Sequence, residues 1–150
     1  MFAIKRTTAS DPRLVPLVAA LDADLRARYG EAQDGYAPMN LISDASPFVI
    51  ALDAAGVPVG CATFRPYDAT SAEVKRMFVA PVARRRGLAA QILTAVEAWA
   101  REEGFATAIL ETGIHQHEAI ALYHREGYAD TEPFGNYVGM SLSLCMRKTL

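Results

Sequence analysis

One stretch constrains the fold more than any other: VKRMFVAPVARRRGLAAQIL, Val74 to Leu93. It runs from an apolar, strand-like segment through consecutive arginines and a glycine into a helical pattern, with Leu88, Ile92, Val96 and Trp99 recurring on one face. Gly104 ends that helix, and FATAILET then reads as a second buried strand. Strand, helix and strand in this order form a βαβ unit, whose strands are parallel with a right-handed crossover. The rest of the chain must be built around that unit.

Upstream, Phe2 to Arg6 reads as a short strand, and SDP supplies a cap with Pro12 in the first turn of a helix. Leu14, Val18, Leu21 and Leu25 form its apolar face, and Gly30 is its terminator. EAQDGYAPMNLISD, Glu31 to Asp44, is irregular and fits either a flap or a short second helix. PFVIALD and VPVGCATFRPYD flank the turn AAG as a β-hairpin, and AEVKRMFVA adds a third strand. Downstream of the βαβ unit, Gln116 to Glu126 is a further helix, and GYADTEPFGNYVGMSLSLCMRK closes the chain as two strands joined by a loop. The class is α+β: a mixed, mainly antiparallel sheet flanked by helices in a single domain spanning residues 1–150.

Composition narrows the function classes. A net charge of -2 over 150 residues argues against a nucleic-acid or anionic-membrane binder, so the arginines are a local device. MFAIKRTTASDP lacks the apolar core of a signal peptide, and no apolar run approaches the ~20 residues of a membrane span. The expectation is a cytoplasmic protein. Cys61 and Cys145 lie in apolar strand-like runs and read as buried free thiols, and no metal-ligand set is expected. His115, His117 and His124 lack a matched further ligand and are assigned no role.

A helix N-terminus presents unpaired N–H groups and a partial positive charge. A glycine turn leading into one is therefore an anion site, with a diphosphate as its natural guest. Gly87 lets the backbone approach the phosphates, while Arg84, Arg85 and Arg86 add charge. The chain has neither G-x-x-x-x-G-K-[ST] nor G-x-G-x-x-G, which removes the best arguments for ATP and NAD.

RRRGLA, Arg84 to Ala89, resembles the R/Q-x-x-G-x-G/A turn of the GNAT superfamily of acyl-CoA-dependent N-acetyltransferases. AEVKRMFVAP before it and ETGIHQHEAIALYHREGY after the next strand resemble the same family's corresponding segments. The resemblance implies the GNAT fold, acetyl-CoA as co-substrate and transfer of its acetyl group to an amine. It further implies that Arg84, Arg85, Arg86, Gly87, Leu88, Ala89 and Ala90 cradle the pyrophosphate. Met77, Phe78 and Val79 would pair with pantetheine, with an N–H near Val79 stabilising the oxyanion. Ala119 and Tyr123 would meet the cofactor from the last helix, and Gln116 stands where the family often has asparagine.

The chemistry needs an amine without its extra proton and a proton for the departing thiolate. An alkyl ammonium has a pKa near ~10.4, so a carboxylate must assist its deprotonation, and Glu73 and Glu111 are the two candidates. By resemblance, Tyr123 is the acid that serves the CoA sulfur. Glu31, Asp34, Asp130 and Glu132 would favour a cationic acceptor, and Tyr36, Phe134 and Tyr137 would wall an apolar channel. A small-molecule primary amine is preferred over a peptide or protein acceptor. A non-catalytic acyl-CoA-binding module and a partner-binding domain are the remaining alternatives. Homodimers are common in the family, but no residue here demands one.

Overall fold

A computed structural model describes residues 1–150. Its strands are β1 (Ala3–Thr8), β2 (Pro47–Leu52), β3 (Pro58–Pro66), β4 (Ser71–Val79), β5 (Thr107–Gly113), β6 (Ala129–Thr131) and β7 (Ser143–Thr149). Its helices are α1 (Val15–Tyr29), α2 (Leu88–Glu102) and α3 (His117–Arg125). One sheet holds all the strands, in the order β1-β2-β3-β4-β5-β7-β6. β2 to β4 form the expected antiparallel meander, β1 adds to it by pairing antiparallel with β2, β4 and β5 are parallel across α2, and β7 inserts between β5 and β6.

The period of the apolar residues explains the two layers. In α2, Leu88, Ile92, Leu93, Val96 and Ala100 are buried and meet Val49, Ala62, Val74 and Leu110 of the sheet in the larger core. Trp99 is only half-buried, with its ring edge-on to Phe64 and Arg6 above it. On the other face a smaller core joins Leu14, Leu17 and Leu21 to Phe48, Ile50, Cys61 and Phe78. The inward face of the first helical region therefore runs through Leu17, and Val18 is its half-buried flank. A 3-10 turn at Pro12–Leu14, capped by Asp11, precedes α1 and shifts the phase by part of a turn. The irregular stretch after Gly30 is two further 3-10 turns, Gly30–Gly35 and Ala37–Asn40.

The feature that positions the site is where β4 leaves β5. They are paired only from Ser71↔Thr107 to Glu73↔Ile109, yet β4 continues to Val79 and β5 to Gly113. Beyond Glu73, β4 stays with β3 and β5 stays with β7 along its whole length, so each strand is held away from the other. Within β4, Arg76 has φ +55° and the β3 register shifts between Cys61 and Thr63, the signature of a bulge that bends the strand. AEVKRMFVA gives no sign of this, because Arg76 takes a conformation that its residue type does not favour.

The far end of the gap is closed by a tight contact. The Tyr29 ring lies against Gly113, its hydroxyl accepts the His115 N–H at 3.1 Å, and the ring stacks on His115. A Cβ at Gly113 would fall inside the Tyr29 hydroxyl and touch Gln116 Oε1. Gly113→Ala is expected to expel Tyr29 and destabilise the protein by roughly 1–3 kcal/mol. Denaturant unfolding of the two proteins checks this, and Gly35→Ala, whose added Cβ meets only the end of Met140, is the control.

Candidate active site

A cleft runs through the gap between β4 and β5 and encloses about 710 Å³, including its open mouth. α1 contributes Leu21, Leu25 and Tyr29, and the 3-10 turns contribute Gln33, Tyr36 and Asn40. Val74, Lys75, Arg76 and Met77 line it from β4, Glu111, Thr112 and Gly113 from β5, and Gln116 and Tyr123 from α3. Of the three side chains on which chemistry was expected, Glu111 and Tyr123 therefore share one cavity, and Glu73 is not in its lining.

Glu111 is the distinctive group. It has no hydrogen-bond or ion-pair partner, unlike Glu73, although burial raises its carboxyl from 4.5 to about 7. The Lys75 charge opposes that rise and the Glu73 charge adds to it. Tyr123 is buried, and burial followed by the Glu111 charge pushes its phenol well above its ordinary value. It therefore stays protonated through the physiological range.

Glu73 has a different setting. Arg65 Nε donates to its Oε1 at 3.0 Å, while the Tyr137 hydroxyl at 3.1 Å and Lys75 Nζ at 3.4 Å donate to its Oε2. Lys75 Nζ also donates to the Tyr137 hydroxyl at 2.7 Å. Three donors, one each from Arg65, Lys75 and Tyr137, hold the Glu73 carboxylate in one place. It lines a second hollow with Tyr67, Phe134 and Tyr137, whose rings meet edge to face.

The expected aromatic channel is thus divided. Tyr36 lines the cleft and its hydroxyl accepts from Ser143 Oγ, whereas Phe134 and Tyr137 wall the second hollow, with the Lys75–Tyr137–Glu73 chain between the two. The acidic residues expected to draw a cation also lie outside the cleft lining. Asp34 pairs with Arg26 at 2.5 Å and Asp130 with His124 at 2.7 Å, while Glu31 and Glu132 are exposed.

The arginine turn precedes α2 as the sequence suggests. Arg85 at φ +62° and Gly87 at φ +76° turn the chain, and Gly87 caps α2 without any side-chain acceptor. The amides of Leu88, Ala89 and Ala90 are thereby left without a cap, and a Cβ at Gly87 would meet nothing within 4 Å. Open space over uncapped amides suits a diphosphate. Arg84 Nε donates to the Val79 carbonyl at 2.8 Å, Arg86 lies 4.8 Å over the Phe2 ring, and Arg85 is exposed. The Leu88 side chain is core, so only its backbone faces a ligand. Ala119 packs against the main core and Phe78 belongs to the smaller one.

Val79 is oriented by its ladder. The Ala80 N–H donates to the Val59 carbonyl, so the strand's alternation turns the Val79 N–H away from β3 and toward the gap. Gln116 folds back: its Oε1 accepts the Gly113 N–H at 2.8 Å, leaving only its NH₂ for a ligand. Sequence reasoning overlooked Lys75 and Arg76 as cleft residues. Their signal was present, since two adjacent cations inside an otherwise apolar strand call for partners.

Residues 15–128 match the sequence model of the Acetyltransferase (GNAT) family. A protein of Azospirillum brasilense called IAA acetyltransferase is 33% identical over 148 residues, covering 98% of this chain and 97% of its own. A crystal structure described as an acyl-CoA N-acyltransferase from Klebsiella pneumoniae superposes with a TM-score of 0.85 at 34% identity, covering 100% of this chain and 98% of the other. A GNAT family acetyltransferase from Elizabethkingia anophelis, solved with acetyl-CoA bound, shares the fold at a TM-score of 0.72 and 17% identity, with 99% and 98% of the chains covered.

The strained charge state of Glu111 has a measurable consequence. A carboxyl whose folded value is raised contributes most stability below its ordinary value of 4.5 and loses it as pH rises through about 7. Glu111→Gln should therefore raise Tm at pH 8, with the gain shrinking toward pH 5, as read by calorimetry across that range.

Proposed function

The chain belongs to the GNAT acetyltransferase family and is an acyl-CoA-dependent acetyltransferase, and we propose that it acetylates the primary amine of a small molecule by direct attack in a ternary complex. The observation that carries the reading is the shared position of an unpaired Glu111 and a protonated Tyr123 at the gap between β4 and β5. The name of the Azospirillum relative also favours a small-molecule acceptor. The proposed enzyme is a single domain over residues 1–150, working in the cytoplasm.

Acetyl-CoA supplies an activated acyl thioester. The uncapped first turn of α2, with Arg84, Arg85 and Arg86 around it, takes the pyrophosphate, and the Met77–Val79 edge of β4 takes the pantetheine arm. Glu111 removes the proton of the incoming ammonium, directly or through a water molecule. The Val79 N–H, turned into the gap, faces the oxygen on which negative charge develops. As the N–C bond forms and the C–S bond breaks, the Tyr123 hydroxyl passes its proton to the sulfur, and the second proton that the nitrogen sheds as the amide forms returns to the phenolate. Glu73 has no part in these transfers; with Arg65, Lys75 and Tyr137 it holds β4 in position.

Two variants test the assignment. Tyr123→Phe is expected to lower kcat by about 10²-fold or more while acetyl-CoA binding persists. Glu111→Gln is expected to lower kcat similarly and to abolish an acidic limb of kcat/KM centred near pH 7, the value at which the carboxyl of the free enzyme ionises. Unchanged turnover in either variant removes that residue from the chemistry. Retention of the limb in Glu111→Gln together with its loss in Glu73→Gln would transfer the base to Glu73.

A further inference from the structure

The charges that line the cleft are unevenly distributed. β4 presents two adjacent cations, Lys75 and Arg76, and the only acidic side chain in the lining is Glu111. The walls from α1 and the 3-10 turns are neutral: Leu21, Leu25, Tyr29, Gln33, Tyr36 and Asn40. An acceptor carrying only positive charge would meet two fixed cations on its way to one carboxyl.

The two cations differ in what holds them. Lys75 is held by Tyr137 and Glu73. Arg76 has a side chain only 5% exposed and a single partner, Asp22, which its Nη2 reaches at 2.5 Å. Asp22 is itself 58% exposed, so water shares its charge. The remaining guanidinium donors of Arg76 have no protein partner, and they are not sealed from solvent, since no buried polar atom of the protein is left unpaired. A nearly buried guanidinium with free donors facing a cavity is suited to a carboxylate, which it can bind bidentately. The bulge fixes this arrangement, because the φ of +55° at Arg76 aims its side chain toward α1 while the neighbouring Met77 also lines the cleft.

We propose that the acceptor is an amine that also bears a carboxylate, an amino-acid-like zwitterion, with Arg76 binding the carboxylate while Glu111 receives the proton of the amine. The neutral and apolar surfaces of Leu21, Leu25, Tyr29 and Tyr36 then face the acceptor's side chain. This rests on the acetyltransferase reading and narrows the small-molecule primary amine to one that also carries a carboxylate. Polyamines are the acceptors it excludes.

The test uses matched pairs that differ only in the carboxylate: L-leucine against isoamylamine, L-phenylalanine against phenethylamine and L-methionine against 3-(methylthio)propylamine. Release of free CoA is followed with the full-length protein, and acetyl-CoA binding is measured separately by native mass spectrometry. The carboxylated member of at least one pair is expected to have a kcat/KM higher by roughly tenfold or more, the scale of one charge-assisted hydrogen bond. Arg76→Gln should erase that preference by raising KM for the amino acid, with KM for the bare amine and binding of acetyl-CoA unchanged. The wild-type comparison stands even if that variant fails to fold. Bare amines accepted as well as their carboxylated partners overturn this inference and leave the acetyltransferase reading intact. Absence of turnover with every amine overturns it as well, and absence of acetyl-CoA binding besides would overturn the acetyltransferase reading itself.

Discussion

Everything functional in this protein depends on two parallel strands that stop pairing. β4 and β5 share three residue pairs and then part, each kept in place by an antiparallel neighbour that follows it to its end. The gap exposes backbone N–H groups that a continuous sheet would consume, and such groups require a partner. It also lets side chains from both faces of the sheet reach one cavity, Lys75 and Arg76 beside α1, and Tyr123 on α3. A closed sheet would have kept those layers apart.

The electrostatics follow from that opening. Lys75, Tyr137 and Glu73 form a buried, hydrogen-bonded chain, and satisfied networks of this kind hold their members in one arrangement. Beside it, Glu111 is left without a partner in a site that disfavours its charge. Two carboxylates, Glu73 at the last β4–β5 pair and Glu111 two residues past it, thus stand in opposite settings, one held by three donors and one without a partner and raised to about 7. Leaving a carboxyl in such surroundings lowers stability, and that is the usual signature of a group kept for chemistry.

Much of this was legible in the sequence. The βαβ unit, the meander and the anion-binding turn follow from residue periods and from the position of Gly87, and the α+β architecture follows from those. Glu111 and Tyr123 were legible as candidates through resemblance to the family. What the sequence could not convey is geometry that depends on several strands at once. The bulge at Arg76 arises from competition between β3 pairing and the bend of β4, and nothing in AEVKRMFVA marks it. The different settings of Glu73 and Glu111 depend on Arg65, which reaches Glu73 from across the β3–β4 hairpin, and on Tyr137, which is far from both in sequence. Phe134 and Tyr137 were grouped with Tyr36 by residue type alone, and the Lys75 chain separates them.

The central claim is that the gap and the arginine turn together form a site for acetyl-CoA. Native mass spectrometry of the purified protein with acetyl-CoA, and with ATP as a control carrying the same kind of phosphates, tests it most directly. The account predicts one acetyl-CoA per chain and no retained ATP, because the turn holds the pyrophosphate only with the pantetheine arm seated along β4. Retention of ATP but not of acetyl-CoA, or of neither, would contradict it.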